Sequence, residues 1–454
     1  MSAVAIEIRD IQVFQRPVNL RLPFKFGAAT VTACPQAFVK VTVRIGGVDW
    51  EGATAELMVP KWFDKSPQRT QDDNFDQLRL ALLTAREQYL STGAANSAYS
   101  LSEKGTEAAI SKLLALGHPR LVGQFGPALL DKAIADAVLR SQGKSWTEGL
   151  SLGLLGDPWS SSLTLKKANS VWLRHTVGLA DRLTDDEPLT SAEDGLPNSL
   201  TQAIAVHGLK YFKLKVSGQL DADMTQLTAI ERVLSKVPDY RATLDGNETF
   251  QNTETLSLFV SALQKNDATR RLLERTLLIE QPLPRAIALG EKIPAMPYNI
   301  PVILDESDDH PDVLEKGLAL GYRGISSKAC KGIYRSLQSA ALIQKTPQTI
   351  LSGEDLTCQA GLGVQQDTLL ASSLGVQHIE RNGHHYVNGF GMAPKAESMS
   401  FAQAHPDLYS SNQAGVHLNV QQGLIHIDSL HQPGFGHQAW PDWASLAQIT
   451  AVSI

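Results

Sequence analysis

The segment YFKLKVSG, residues 211–218, alternates like a β-strand and carries two lysines one residue apart. Successive side chains of a strand point to opposite faces, so Lys213 and Lys215 share one face and the apolar residues take the other. Neighbouring ammonium groups repel each other, and wholly buried lysines are rare. Taken alone, the segment therefore resembles an antiparallel strand with one solvated face. The flanking sequence decides between that interpretation and a buried pair.

Short apolar segments alternate with helical patterns from about residue 170 onward. Alternating β and α units predict a parallel sheet, and eight of them over about 210–250 residues predict a (β/α)₈ barrel. A doubly wound open sheet is the alternative. That fold usually has a glycine-rich turn after its first strand, and no such turn follows a predicted strand here. The predicted barrel strands lie at about 170–176, 210–216, 241–245, 277–280, 301–304, 323–327, 349–352 and 376–380.

The regions on either side predict a second structural unit. Residues 1–57 alternate like strands and residues 70–140 follow a helical period, which together indicate an α+β domain. A chain of 454 residues is also longer than a single hydrophobic core usually supports, which predicts more than one domain. The tail loses the β/α alternation, and we expect it to return to the first domain. The predicted units are an α+β domain at 1–150, a barrel domain at 165–395 and a C-terminal segment at 396–454.

Bulk composition excludes several classes of function. The chain is 43% hydrophobic and 19% charged, with a formal net charge of −6, and it has no basic patch for nucleic acid or for a membrane surface. Its three cysteines lie far apart and form neither a metal-spaced pair nor a disulfide framework. No signal peptide or membrane-spanning apolar run is found. We expect a cytoplasmic protein that acts on a small molecule.

Carboxylates follow consecutive predicted strands at their C-terminal ends, where a barrel gathers its chemistry. Asp245, Glu280 and Asp305 end the third, fourth and fifth strands. Three carboxylates a few ångströms apart repel each other unless a cation lies between them, and hard oxygen ligands suit Mg²⁺. The alternative is three unrelated helix-capping residues. Other polar residues at these ends are Asn247, Glu306, Lys328, Glu354 and Asp355.

The lysines lie on two sides of this predicted metal site. Lys213 and Lys215 end the second strand, and Lys328 ends the sixth. A neighbouring cation and partial burial both lower the pKa of an ammonium group, and a lysine with a near-neutral pKa can act as a base. Lysines on opposite faces of a substrate can remove a proton from one side and return it to the other. A metal-free aldolase with a Schiff-base lysine and a non-catalytic binding barrel are the alternatives.

The motifs at the strand ends resemble those of the enolase superfamily, in particular its muconate cycloisomerase-like branch of mandelate racemase and muconate lactonizing enzymes. They are KLK (213–215), LDGNETF (244–250), IEQPLP (279–284), LDES (304–307), GISSKACKG (324–332) and LSGEDLTCQAG (351–361). The resemblance covers nearly the whole chain. It implies a modified TIM barrel whose N-terminal α+β domain is a cap that the C-terminal segment completes. It also implies a homo-oligomer.

The resemblance further implies a reaction class. Members of this superfamily abstract the proton α to a substrate carboxylate and pass through a metal-stabilised enediolate. The implied cofactor is Mg²⁺, with Mn²⁺ possible, and the substrate is a small carboxylate. Racemisation, epimerisation or cycloisomerisation is the expected outcome. A lyase or dehydratase that uses the same site for β-elimination is the alternative.

Residue by residue, the resemblance assigns roles to the motifs. Lys215 and Lys328 would be the two acid/base groups, and Lys213 would assist Lys215 and touch the substrate carboxylate. The implied metal ligands are Asp245, Glu280 and Asp305. The implied supporting residues are Asn247, Glu306 beside the ligands, and Glu354 near the metal or the Lys328 ammonium.

The segment after the eighth predicted strand departs from the family pattern. Dipeptide epimerases of this branch carry an Asp-x-Asp after the eighth strand, whereas this chain has HIERNGHHYVNG at 378–389, which counts against a dipeptide substrate. The adjacent His384 and His385 are typical of a solvated loop.

The aromatic and apolar side chains Phe24, Phe26, Met58 and Trp62 either form a lid over the site or pack within the cap. The polar stretch 184–197 predicts a surface loop, and 143–162 carries no assignment.

Overall fold

The computed structural model of the chain describes residues 3–27, 29–188, 194–356 and 358–452. The strands are β1 (Ile6–Phe26), β2 (Ala29–Ile45), β3 (Val48–Leu57), β4 (Ala94–Ala95), β5 (Ser170–Val177), β6 (Tyr211–Lys215), β7 (Arg241–Asp245), β8 (Thr276–Glu280), β9 (Val302–Ile303), β10 (Gly324–Ser327), β11 (Ile350–Gly353), β12 (His378–Arg381), β13 (Tyr409–Asn412), β14 (Gly415–Leu418), β15 (Val420–Gln421), β16 (Leu424–His426) and β17 (Ala447–Gln448).

The helices alternate with the barrel strands and precede them in the N-terminal region. They are α1 (Gln71–Thr92), α2 (Ala98–Ala115), α3 (Arg120–Ser141), α4 (Trp146–Ser151), α5 (Leu200–His207), α6 (Leu220–Leu234), α7 (Thr253–Lys265), α8 (Asp267–Glu274), α9 (Arg285–Ala288), α10 (Val313–Ala319), α11 (Ile333–Ile343), α12 (Leu362–Ser373), α13 (Gly383–Tyr386) and α14 (Lys395–Ala404). Among the described residues, no helix is long and apolar enough to span a membrane.

Eight parallel strands, β5 to β12, form the barrel. Their order is β10-β11-β12-β5-β6-β7-β8-β9, and a parallel bridge between Leu304 and Ile325 closes the ring between its two ends. At least one helix follows each strand from β5 to β11 before the next strand begins. Both faces of such a sheet are covered, because helices pack on the outside and side chains fill the inside. The prediction of a (β/α)₈ barrel with an N-terminal α+β domain is confirmed.

An antiparallel sheet forms the N-terminal α+β domain. β1, β2 and β3 pair in sequence, and α1, α2 and α3 pack beside them. α1 begins at a capping box in which Thr70 and Asp73 satisfy each other's backbone N–H groups. Gly52 allows α3 to approach β3 closely, since a Cβ at this position would lie 2.0 Å from the Ala133 carbonyl oxygen.

The last 60 or so residues contribute to both sheets. β16 pairs with β5 at the edge of the barrel, and β17 pairs with β1 through Phe14 and Gln448 in the N-terminal sheet. Residues 143–162, which the sequence left unassigned, contain α4, where Trp146 is fully buried and stacks on Phe435. The domain limits at 1–150, 165–395 and 396–454 stay a prediction. Of the predicted surface loop at 184–197, residues 189–193 lie outside the described residues.

Candidate active site

Register across three adjacent strands brings the first site residues together. Lys215 of β6 is the register partner of Asp245 of β7, which is in turn the partner of Glu280 of β8. Lys213 lies two residues before Lys215 and therefore points to the same, inward face. The solvated-face interpretation of the lysine pair is wrong, because Lys213 is 1% exposed and Lys215 is 5% exposed. Carboxylates supply the pairing that buried ammonium groups need.

Four carboxylates surround the Lys213 ammonium. Its Nζ lies 2.6 Å from Glu354 Oε2, 2.8 Å from Glu280 Oε2, 2.9 Å from Asp245 Oδ2 and 3.0 Å from Glu380 Oε2. Burial opposes the charge, but the four neighbouring carboxylates outweigh burial and raise the pKa of Lys213 well above its usual value. The four carboxylates therefore favour the charged form of Lys213. Its proximity to Lys215 fits the predicted assisting role better than a role as base.

Lys215 and Lys328 each pair with a different carboxylate of the predicted metal set. The Lys215 Nζ lies 2.6 Å from Asp245 Oδ2, and the Lys328 Nζ lies 2.7 Å from Asp305 Oδ2. Burial opposes the charge of Lys328, yet the Asp305 carboxylate raises its pKa above the usual value. The two lysines thus occupy different sides of the carboxylate group and end strands β6 and β10, four strands apart in sequence.

Aromatic side chains of the N-terminal domain cover both lysines. The Lys215 Nζ lies 5.7 Å from the ring centre of Phe24 and 5.8 Å from that of Phe26, while the Lys328 Nζ lies 4.3 Å from the ring centre of Trp62. These distances are within the range of cation–π interactions. Of the two interpretations of these side chains, the lid over the site is therefore the one observed for these three. Met58 is fully buried.

Asp305 and Glu306 occupy different surroundings although they are adjacent. Asp305 contacts Lys328, accepts a hydrogen bond from Ser326 and lies 3.4 Å from the Lys331 ammonium. Glu306 accepts from Asn247 Nδ2 at 3.0 Å and lies 3.4 Å from the Lys65 ammonium. Burial opposes ionisation of Asp305, yet Lys328 and Lys331 lower its pKa, whereas burial raises the pKa of Glu306.

The three predicted metal ligands, Asp245, Glu280 and Asp305, are fully buried, and lysines contact all of them. Within the described ranges, no group of three or more His, Cys, Asp or Glu side chains has an arrangement that holds a metal ion. Negative charge is nevertheless in excess at Glu280. Burial and the carboxylates of Asp245 and Glu354 raise the pKa of Glu280 well above its usual value. A hard-oxygen set with unbalanced negative charge fits Mg²⁺.

Sequence reasoning missed several charged residues of the barrel interior. Glu380 of β12 is the register partner of Arg174 of β5, and both are fully buried. Arg174 donates to Glu354, so Glu354 lies against Arg174 and Lys213. Glu354 thus contacts an ammonium group, as expected, but that of Lys213. A single charged residue inside an apolar strand, as in SVWLRHTV at 170–177, was the available signal.

A small cavity of about 20 Å³ lies among these groups. Side chains from both domains line it, namely Phe24, Phe26, Val59, Trp62, Lys213, Lys215, Asp245, Asn247, Lys328, Asp355, Leu356, Glu380 and Asn382. A larger cavity of about 640 Å³ lies on the other side of the end of β12, where Arg381, Gly383 and His384 line it. We place the active site at the smaller cavity, because Lys215 and Lys328 line it.

Of the histidine pair after β12, His384 borders the larger cavity and His385 is turned inward. His385 is buried, and His384 is partly buried with its Nε2 atom 2.9 Å from His175 Nδ1. Burial lowers the pKa of His384 and of His175, so both imidazoles are neutral near pH 7. The prediction of a solvated loop is wrong for His385, because α13 turns this segment inward against β5.

Solved structures of similar fold span almost the whole chain. A dipeptide epimerase from Enterococcus faecalis, complexed with Mg and the dipeptide L-Leu-L-Tyr, is 17% identical, with a TM-score of 0.63 over 95% of this chain and 99% of that one. A muconate lactonizing enzyme from Pseudomonas fluorescens, complexed with muconolactone, is 17% identical, with a TM-score of 0.58 over 97% of each chain. An enolase from Bradyrhizobium, complexed with magnesium and mandelic acid, is 17% identical, with a TM-score of 0.60 over 99% of this chain and 100% of that one.

These likenesses show that the chain has the fold of the mandelate racemase and muconate lactonizing enzyme branch of the enolase superfamily, as the motifs predicted. Comparison with protein-family models gave no match, and neither did comparison with curated protein sequences.

Proposed function

We propose that the protein belongs to this branch of the enolase superfamily and is a Mg²⁺-dependent isomerase, a racemase, epimerase or cycloisomerase, of a small carboxylate. One observation carries the proposal. Lys215 and Lys328 line one small cavity, and each pairs with a different member of a buried trio of carboxylates. A barrel that only binds a ligand has no need of two such lysines, and burying them costs free energy.

The chemistry proposed for the lysines is proton transfer at the carbon α to the substrate carboxylate. When bound, Mg²⁺ would neutralise the negative charge that develops on the substrate carboxylate as the α-proton leaves. Lys215 and Lys328 would hold and move that proton on opposite faces. One lysine must be neutral while the other is protonated. Burial opposes the charge of Lys328, but the Asp305 carboxylate raises its pKa and so favours its protonated form in the substrate-free protein.

The remaining site residues would orient and enclose the substrate. Lys213 would add a fixed positive charge, since its four carboxylate neighbours keep it protonated. Asn247 and Lys65 hold Glu306 in place beside Asp305. Phe24, Phe26 and Trp62 would exclude water from the reacting carbon, which strengthens every charge interaction within the cavity.

The runner-up is a lyase that uses the same groups for β-elimination, because either outcome begins with loss of the α-proton. A Schiff-base aldolase fits less well. Its nucleophile must be a neutral amine, and the Asp305 carboxylate favours the charged form of Lys328. Borohydride reduction in the presence of a carbonyl substrate tests this alternative, because only a Schiff base would become covalently trapped.

The test of the proposal is α-proton exchange with D₂O, followed by NMR or mass spectrometry. The substrates are a panel of N-acyl amino acids, dipeptides and lactones. We expect exchange into at least one member, loss of exchange after exhaustive EDTA treatment, and recovery with Mg²⁺ or Mn²⁺. Asp245→Asn should act like chelation because it removes one ligand charge. Full activity after chelation would overturn the metal assignment, and activity through a trapped Schiff base would overturn the reaction class.

We also propose that the protein is a cytoplasmic homo-oligomer. The support is its composition, with no disulfide framework, and the resemblance of its motifs to a family whose barrels are often oligomeric. Sedimentation velocity at working concentrations tests the assembly, and a species with the mass of one chain alone would refute it.

A further inference from the structure

Histidines from four elements of the fold meet beside the end of β12. We call them the histidine cluster, and its members are His175 of β5, His207 of α5, His384 and His385 of α13, and His417 of β14. Neighbouring rings among the first four have centres 4.7 to 6.2 Å apart. His417 lines the same cavity of about 640 Å³ as His207 and His384. Because histidine changes charge near neutral pH, such a cluster is sensitive to acid.

Few charged groups face the histidine cluster. Asp181 lies nearest, with Oδ2 at 3.6 Å from His385 Nε2, and it already accepts hydrogen bonds from the Tyr386 hydroxyl and the Gly178 N–H group. The other charged groups on the surrounding elements are two ion pairs, Arg21 with Asp194 and Arg381 with Asp367. Cys358 and Tyr386 also adjoin the cluster, and burial raises the pKa of both, which keeps them neutral. Among the residues that the structure describes, none of the ion pairs includes His175, His207 or His384.

The packing of the rings favours uncharged imidazoles. Burial and the neighbouring histidines lower the pKa of His175 and His384 well below the usual value, and they lower the pKa of His207 to about 4. The His175 Nδ1 and His384 Nε2 atoms lie 2.9 Å apart, so one of them must be without a proton. His207 and His384 are only partly buried and border the larger cavity, through which water reaches the cluster.

The α13 segment also holds the lid over the catalytic cavity. The Phe24 ring, whose centre lies 5.7 Å from the Lys215 ammonium, has that centre 4.3 Å from the ring centre of Tyr386. Arg21, which precedes Phe24 on β1, donates from Nη1 to the His385 carbonyl oxygen at 2.9 Å. A displacement of α13 would therefore act on Phe24 through direct contacts.

We propose that protonation of the histidine cluster opens the lid over the catalytic cavity. Two or more protonated rings repel each other and move α13 away from β5 and α5. Because α13 holds Arg21 and Phe24, the β1 segment that covers Lys215 moves with it. This device controls access to the cavity, and it does not depend on which reaction takes place there.

The sign of the pH dependence follows from the lowered pKa values. A histidine whose pKa is lowered in the closed state stabilises that state above its ordinary pKa of about 6.5, and the stabilisation is lost as pH falls toward the lowered value. The His207 pKa is about 4 in the closed state. For a group with this shift, the ratio of open to closed protein rises about 30-fold from about pH 7.5 to about pH 5.

Amide hydrogen exchange of the full chain, without substrate, tests the proposal by mass spectrometry. Rates at the two pH values are each corrected for the intrinsic exchange rate. We expect peptides that cover residues 17–27 and 383–387 to lose protection about 30-fold at the lower pH. Peptides from β2 and β3 report global unfolding and should keep their protection.

Three variants assign the effect to the histidine cluster. The double variant His175→Asn, His384→Gln places amide groups near the former Nδ1 and Nε2 atoms, so the hydrogen bond remains and neither side chain titrates. It should reduce the acid effect about tenfold or more. His207→Gln, at a partly exposed position, should also reduce it and serves if the double variant is unstable in a thermal melt. The control is His405→Gln, which removes a buried histidine that contacts Ser429 rather than α13 and should leave the acid effect unchanged.

Several results would overturn the proposal. One is equal protection of residues 17–27 and 383–387 at both pH values in the unaltered protein. Another is an equal loss of protection in the β2 and β3 peptides, which means global acid unfolding. An unchanged acid effect in the folded cluster variants, or an equal reduction by His405→Gln, also contradicts the assignment to these rings.

Discussion

Lys213→Met is the substitution with the largest expected effect on stability. It removes an ammonium that lies within 3.0 Å of four carboxylates, while it keeps most of the side-chain volume. Removing one partner of a buried ion pair costs about 3–5 kcal/mol. Four carboxylates lose a neighbouring cation at once in this variant, which places it at the upper end, about 5 kcal/mol. The free energy of unfolding of most domains is about 5–15 kcal/mol, so the loss is readily measured.

The assay is urea unfolding followed by circular dichroism, with EDTA and then with Mg²⁺. Because Mg²⁺ would supply positive charge to the same carboxylates, it should restore part of the stability of Lys213→Met. The matched control is Lys132→Met, which removes a fully buried lysine 3.0 Å from Glu56 in the N-terminal domain. Mg²⁺ should not rescue that variant. A Lys213→Met protein within about 1 kcal/mol of the unaltered chain in EDTA would refute the reasoning, as would equal rescue of both variants.

Three further predictions concern other residues. Lys215→Ala and Lys328→Ala should each abolish turnover, with a rate loss of about 10²–10⁴-fold. In a racemase each variant still exchanges the α-proton of one stereoisomer in D₂O, whereas exchange lost in only one variant would indicate a lyase or cycloisomerase. Burial raises the pKa of Asp131 to about 7, above its value in the unfolded chain. The folded state therefore favours the protonated carboxyl group, and the stability that protonation contributes is lost as pH rises from about 4 to 7. Over that interval, urea unfolding should show that the unaltered protein loses up to about 4 kcal/mol relative to Asp131→Asn, and parallel curves would contradict this. Gly52→Ala should lower the free energy of unfolding by about 1–3 kcal/mol, because its Cβ would meet the α3 backbone at 2.0 Å, whereas Gly290→Ala, at 3.4 Å from the nearest atom, should be tolerated in the same assay.

The barrel could be predicted from sequence because each of its strands is a short apolar run followed by a polar residue. Register then follows from the barrel itself, since equivalent ends of parallel strands meet at one edge. That is why Lys215, Asp245 and Glu280 lie side by side as expected. The β9 strand is shorter than predicted, Val302–Ile303 against 301–304, since the loop that carries Asp305 leaves the sheet early.

The charge balance of the site could not be predicted from local patterns. Lys213 has four carboxylate neighbours that come from four strands, and Glu380 lies 167 residues away in sequence. Such contacts depend on how all the barrel strands are oriented relative to one another, and a short stretch of sequence carries no information about that arrangement. The histidine pair was misjudged for a similar reason, because burial of His385 depends on packing against His175 of a distant strand.

The contact between β9 and β10, which closes the barrel, affects how the protein responds to substitution. The Leu304–Ile325 bridge is a backbone contact between the two strands. Asp305, which follows β9, adds side-chain contacts with Ser326, Lys328 and Lys331. The carboxylate that we propose as a metal ligand thus also links the two sides of the barrel wall. We therefore expect any substitution of Asp305 to lower the stability of the barrel as well as to change the chemistry of the site, so that a variant with a new activity would need stabilising changes elsewhere.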